Sequence, residues 1–89
     1  MQRRFDVIRW TPARTTHVAR HGIEPEEIDE VLSDDEGRLR RGRAGRYLLY
    51  GRSAAGRRLV VVLVDEGRRI AGIVTARDAS EAEGRTYFD

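Results

Sequence analysis

The stretch RYLLYGRSAAGRRLVVVLVDEGRRIAGIVT, residues 46–75, decides the fold. It contains three apolar, β-rich runs: RYLLYG at 46–51, RLVVVLVD at 58–65 and RIAGIVT at 69–75. Runs of this length and composition read as strands. The connections between them, 52–57 and 66–68, are short and carry glycine, so each reads as a hairpin and the stretch predicts an antiparallel meander. The middle run is apolar on both faces, which places it at the centre of the sheet. Just upstream, RLRR at 38–41 adds a short edge strand whose arginines discourage edge-to-edge association.

Further towards the N-terminus the pattern turns helical. Thr11-Pro12 is a helix start, with threonine as N-cap and proline in the first turn. His21-Gly22 is a stop, with glycine placed for a left-handed cap. These bounds predict a weakly amphipathic helix over 12–21. A second helix over 23–32 follows at once, with Pro25 in its first turn, Ile23 stapling onto Ile28, and Ile28, Val31 and Leu32 as its buried stripe. Residues 5–10 alternate as an opening strand, with Phe5 and Val7 on one face and Ile8 and Trp10 on the other. At the other end Ser80-Glu81-Ala82-Glu83 matches a capping box, and Tyr87-Phe88 gives the helix it opens something apolar to dock. Gly84 costs that helix about 1 kcal/mol relative to alanine. The order is β-α-α-β-β-β-α: one small α+β domain over 1–89, its antiparallel sheet packed against two N-terminal helices and one C-terminal helix.

Composition narrows the class. Leu, Ile, Val and Phe make up 21 of 89 residues, just above the level at which chains stay disordered, so the core is thin. There is no cysteine, which excludes disulfide scaffolds and cysteine-based metal knuckles. The longest apolar run, 59–64, is far too short to cross a bilayer. Residues 1–9 alternate charged and apolar types and do not read as a signal peptide. A cytoplasmic domain with no membrane partner is expected.

All 17 basic residues are arginine, against 15 acids, and the charges are segregated. Residues 24–36 carry eight acids and no base, whereas 37–58 carry eight arginines and no acid. A positive region of that size attracts phosphate backbones. The alternative is that the blocks neutralise one another in the fold.

No metal motif is present: His17 and His21 stand one turn apart without a third ligand, and neither a metal nor any other cofactor is expected. Arg14, His17 and His21, spaced i, i+3, i+7, share one face of the first helix. Arg46 opens the first hairpin strand, and Arg77 follows the last strand where the chain turns towards the final helix. Together with Glu83 and Tyr87 these residues can form a phosphate site, because guanidinium groups grip phosphate bidentately and stabilise the charge that builds up during transfer. RNA supplies its own nucleophile, the 2′-hydroxyl, so cleavage without metal needs only positioning, a base and an acid. Each residue also has a structural reading. His21 ends helix one, Glu83 completes the capping box, Tyr87 anchors the last helix, and Arg77 pairs with Asp78 or an acid of helix two.

The run Trp10-Thr-Pro-Ala-Arg14…Arg20-His21-Gly22-Ile23-Glu-Pro-Glu-Glu27 resembles the W-(D)-x-x-K…K-H-G-V-x-x-E-E opening of BrnT-type toxins. The resemblance continues at Arg46 and through 51–62. Its end, Thr75-Ala76-Arg77-Asp78-Ala79-Ser80…Glu83…Tyr87, is similar to the family's I-S-A-R-x-A-(T)…E-R…Y. It covers residues 10–87 and implies a RelE-like fold and the toxin half of a type II toxin–antitoxin pair. Such proteins are metal-independent endoribonucleases that arrest translation. A ribbon-helix-helix antitoxin neutralises them, and operator DNA is reached only through that antitoxin. The implied catalytic set is His21 as base, Arg46 and Arg77 on the scissile phosphate, and Glu83 with Tyr87 orienting the site or supplying the acid. Arg14, His17, Arg20, Arg52 and Arg57 would contact the RNA. Three positions depart from the family pattern: His17 replaces a frequent asparagine, Gly72 a frequent basic residue and Gly84 a frequent arginine. The alternative is a non-catalytic or decayed module that binds an antitoxin or nucleic acid through its arginines.

Overall fold

The structure, a computed structural model, describes residues 5–88 and, within these, not the side chains of Pro12, Thr15 and His17. The elements follow as β1 (Val7–Arg9), α1 (Pro12–Arg20), α2 (Pro25–Leu32), β2 (Arg38–Arg41), β3 (Arg46–Arg52), β4 (Arg58–Asp65), β5 (Ile70–Asp78) and α3 (Glu81–Tyr87). The five strands form one sheet in the order β1-β5-β4-β3-β2. The run that is apolar on both faces, β4, is the central strand, as its composition requires. The hairpins turn on left-handed residues, Gly45, Gly56 and Gly67 among them.

The sheet is mixed rather than wholly antiparallel, because β1 lies parallel to β5, with Val7 opposite Ile70 and Arg9 opposite Gly72. The chain leaves β1 at one edge and crosses through α1 and α2. It enters at the far edge as β2 and returns strand by strand to β5. A crossover of that length imposes no hairpin relation on β1 and β5. The expected alternation of 5–10 also breaks at its start. Asp6 forms a bend, so Phe5 turns into the core together with Ile8 and Trp10, while Val7 is 51% exposed.

The local signals at the helix ends work as read. The Thr11 hydroxyl accepts from the Arg14 N–H at 3.2 Å, and Gly22 adopts φ 70° after α1. The second helix starts two residues later than its apolar pattern suggested, since Glu24 is its N-cap and the Glu24 N–H donates to Glu27 Oε1 at 3.0 Å. Val18, Ile23, Ile28, Val31 and Leu32 bury against Leu49, Leu59, Val61, Leu63, Ala71, Ile73 and Ala76. The main core is therefore the layer between α1, α2 and one face of the sheet.

Gly51 lets α2 approach β3 closely. A Cβ there would meet Val31 Cγ1 at 2.9 Å and the Val31 carbonyl oxygen at 3.2 Å. Gly51→Ala is expected to cost about 1–3 kcal/mol, as overpacking does, and to lower the urea midpoint without changing the m-value.

The last strand runs to Asp78, three residues beyond the end its apolar pattern marks. Val62 pairs with Thr75 but Leu63 pairs with Ile73, which leaves Val74 as a bulge. One extra residue reverses which side chains face the core. Ala71 and Ile73 face it before the bulge, and Ala76 after it. Arg77, opposite Val60, is thereby turned to the other face. α3 docks on that same face, away from α1 and α2, through Tyr87 against Tyr50 of β3.

Candidate functional site

The face of the sheet opposite the main core carries Arg38 and Arg40 on β2, Arg46, Leu48, Tyr50 and Arg52 on β3, Arg58, Val60 and Val62 on β4, and Thr75 and Arg77 on β5. The strand registers align these residues on one side. α3 lies over one end of it. Ser80 caps that helix, its hydroxyl accepting from the Glu83 N–H at 3.1 Å, while Glu83 Oε1 accepts from the Ser80 N–H at 2.8 Å. Glu83 also takes an end-on ion pair from Arg77, Nη1 to Oε1 at 2.6 Å and Nη2 to Oε2 at 2.9 Å. Capping α3 and pairing with Arg77 are therefore compatible in one carboxylate. Arg77 pairs with neither Asp78's carboxylate nor an acid of α2; its Nη1 donates to the Asp78 backbone carbonyl at 3.2 Å.

Tyr87, one helical turn after Glu83, stacks on Tyr50 with ring centroids 3.9 Å apart and planes at 17°. The Arg40 guanidinium lies over the Tyr87 ring at 5.6 Å. Beyond it, Arg52 and Arg58 approach the Phe88 ring at 5.3 and 5.8 Å, and Arg52 Nη2 donates to the Phe88 carbonyl at 2.8 Å. Gly84, where an arginine was expected from the resemblance, is buried, and a Cβ there would stand 3.0 Å from Arg58 Nη1. The small residue lets Arg58 pass beneath the helix. Gly72 is covered in a comparable way, because the Glu66 carboxylate occupies the space a Cβ would need and itself pairs with Arg9 at 3.1 Å.

Arg77, Glu83 and Tyr87 thus come together, with Tyr50 and Arg40 beside them. Neither of the last two was singled out from the sequence. The alternation of β3 and its register with β2 is the signal that places them there.

The remaining candidates lie elsewhere. Arg46 sits on the same face but opposite Val64, four residues along β4 from the Val60 that faces Arg77, or about 13 Å along the strand. His21 caps α1 on the helix-covered side, near Asp78. Arg14 Nη1 donates to the Ile73 carbonyl at 2.8 Å, just before the bulge. Arg57 binds Asp78 through Nε and Nη2 at 2.8 and 3.0 Å, the Gly22 carbonyl at 2.8 Å and Glu27 at 3.3 Å. Arg20 is exposed on α1. The His17 side chain lies outside the described residues. Among the described residues no three His, Asp or Glu side chains gather so as to hold a metal ion, and no helix is long and apolar enough to cross a membrane.

The electrostatics follow the contacts. The hydrogen-bonded pair with Arg77, aided by the Ser80 N–H and hydroxyl, outweighs burial and pulls the Glu83 carboxyl from 4.5 down to about 2. The Arg77 guanidinium is raised in turn, chiefly by its bonds to Glu83. Burial, then Tyr87 and Glu83, raise the Tyr50 hydroxyl. Arg57 lowers Asp78. Because Glu83's folded value lies below its unfolded one, its stabilising contribution is complete above about pH 4.5 and fades as the pH falls towards 2. Allowing for solvent around the pair, that contribution is about 1–2 kcal/mol. Urea titrations at fixed pH are expected to show it as a fall in stability below pH 4.5, part of which is absent in Glu83→Gln.

No protein-family model matches the sequence, and no curated protein matches it. Among solved structures, the crystal structure of the Brucella abortus ribonuclease toxin BrnT is similar, with a TM-score of 0.66 over 86% of this chain and 99% of that one, at 21% sequence identity. The resemblance read from residues 10–87 is borne out at the level of architecture: this chain has the fold of the BrnT toxin.

Proposed function

We propose that the protein is the toxin of a type II toxin–antitoxin pair and acts as a metal-independent endoribonuclease, with its site on the open sheet face at Arg77, Glu83 and Tyr87, flanked by Arg40. The observation that carries this reading is the state of the Arg77 guanidinium. Three of its five N–H groups are engaged, two by Glu83 and one by the Asp78 carbonyl. The Nε–H and the second Nη2–H, on the remaining edge of the plane, are open. Those two donors match two oxygens of a phosphodiester. Glu83, ionised at neutral pH, keeps the plane oriented and does not supply a proton.

In the reaction, the 2′-hydroxyl of RNA attacks the adjacent phosphorus and gives up its proton to solvent water, while the 5′-oxygen leaves and takes up a proton, giving a 2′,3′-cyclic phosphate and a 5′-hydroxyl. Arg77 offsets the charge that grows on the non-bridging oxygens, and Arg40, over the Tyr87 ring, adds to the positive field of the face. In this reading the Tyr87 hydroxyl, on the same side of α3 as Glu83, protonates the leaving oxygen. His21 ends α1, which packs on the opposite face of the sheet from Arg77, so the reading rests on the Arg77 cluster. The fold shared with a ribonuclease toxin supports it. The partners that go with the reading are cellular RNA and a ribbon-helix-helix antitoxin, with operator DNA contacted only through the antitoxin, all in the cytoplasm.

The test is incubation of purified protein with single-stranded RNA in EDTA. Cleavage products carrying cyclic phosphate are expected, and RNA left intact overturns the nuclease reading. A second reading, a binding module without catalysis, is favoured by the arginines that the strand registers align on this face, Arg38, Arg40, Arg46, Arg52, Arg58 and Arg77, since such a row attracts a phosphate backbone without any chemistry. Salt-sensitive RNA retention on a filter without any product would select it.

A further inference from the structure

α3 is only seven residues long, well short of the length at which a helix holds itself in water, and Gly84 stands in its middle. The capping box fixes its first turn. Near its other end Tyr87 is held by the Tyr50 ring at 3.9 Å, and the chain after it by Arg52 at the Phe88 carbonyl. Glu83 and Tyr87 stand four residues apart, so they project on one side of the helix. Whatever sets the height of Tyr87 over the sheet also sets that of Glu83 over Arg77.

Tyr50 occupies that supporting position. It lies in the interior of β3, opposite Val60 and Arg38, and is 5% exposed. It belongs to the face away from the main core, so that core does not require it. A leucine at this position would fill the sheet surface equally well, but only a flat ring offers a plane for Tyr87 to lie on. The Tyr50 side chain has Tyr87, Glu83 and Arg77 around it, and its burial, then Tyr87 and Glu83, raise its hydroxyl.

We propose that Tyr50 is a positioning residue of this site: its ring is the plane on which Tyr87 rests, and through α3 it holds Tyr87 and Glu83 in place beside Arg77. The proposal rests on the ribonuclease reading for its kinetic consequence and on the stacked pair alone for its structural one. Tyr50 itself meets no substrate. Its loss therefore slows turnover without weakening RNA binding.

The experiment compares wild type, Tyr50→Phe and Tyr50→Leu. It uses steady-state RNA cleavage and the NMR chemical shifts of the Tyr87 ring in protein labelled at tyrosine. In Tyr50→Leu, kcat is expected to fall at least tenfold with KM within twofold, and the ring-current shift of Tyr87 to disappear. Tyr50→Phe, which keeps the ring, is expected to restore both the shift and kcat to within threefold of wild type. Should Tyr50→Leu fail to fold, Tyr50→Met, which fills the volume without a planar ring, carries the same expectation. A folded leucine or methionine variant that keeps either wild-type kcat or the Tyr87 ring-current shift overturns the proposal. If the wild-type protein leaves RNA intact, the ribonuclease reading falls, and the ring-current shift still decides whether Tyr50 positions Tyr87.

Discussion

Replacing Arg77 with alanine is expected to lower kcat/KM for RNA cleavage by about 10²–10³-fold, the usual cost of removing one donor aimed at developing oxyanion charge, or roughly 3–4 kcal/mol of transition-state stabilisation. The folded state should suffer much less. Arg77 is 44% exposed and its ion pair with Glu83 is only partly buried, so the stability cost is about 1 kcal/mol. Glu83 also retains its bond from the Ser80 N–H at 2.8 Å in the variant. A hundredfold loss of activity in a protein that melts within a few degrees of wild type would place Arg77 at the reacting phosphate. Arg77→Lys sharpens the test, because lysine keeps the charge but has no second edge of donors. It should recover little of the lost rate. Recovery by lysine to near wild type would instead mean that charge alone matters and that the fork geometry is irrelevant.

Arg57→Ala should do the opposite. One guanidinium joins four segments: the hairpin that follows β3, the end of β5 at Asp78, the α1–α2 turn at the Gly22 carbonyl, and the first turn of α2 at Glu27. Its side chain is 31% exposed, so solvent screens these bonds only partly, and the removal takes a donor from two carboxylates and a carbonyl, although Glu27 keeps the Glu24 N–H. The expected cost is about 2–3 kcal/mol. In a small domain with a thin core that is a large share of a total of roughly 5 kcal/mol, and it should lower Tm by about 10–20 °C. Cleavage per folded molecule, measured well below the new Tm, should stay near wild type. A variant with unchanged Tm and lost RNA affinity would return Arg57 to the role its sequence position suggested.

The contrast between these two arginines shows what was legible in the chain. Both lie in stretches that resemble the toxin family, and both are arginines at or near strand ends. Sequence could rank them no further, because pairing partners are distant in the chain: Asp78 lies 21 residues from Arg57, and Glu27 lies 30. Arg14 illustrates the same limit, since its partner, the Ile73 carbonyl, is 59 residues away. Arg77 and Glu83 are six residues apart and were legible as neighbours, though not as a pair. Tyr50 and Arg40 passed as ordinary strand residues. Their place at the site depends on the register of β2 against β3 and on where α3 docks, and neither is encoded locally.

What the sequence determined by itself is the set of elements. Period-two runs, two hairpin signals, a threonine cap with proline behind it, a glycine stop and a serine–glutamate box are local physics, and each produced the element it announces. The central place of β4 also follows, since a strand apolar on both faces has to be covered on both. What only the tertiary structure decided is which side of the sheet each residue serves. The extra residue at Val74 reverses the alternation within β5. Without it Arg77, an odd-numbered neighbour of Ala71 and Ile73, would point towards α1 and α2. With it, Arg77 points towards α3. A bulge is stabilised by the strands and helices packed around it rather than by the residues that form it, and so the side on which this site is built was settled by packing.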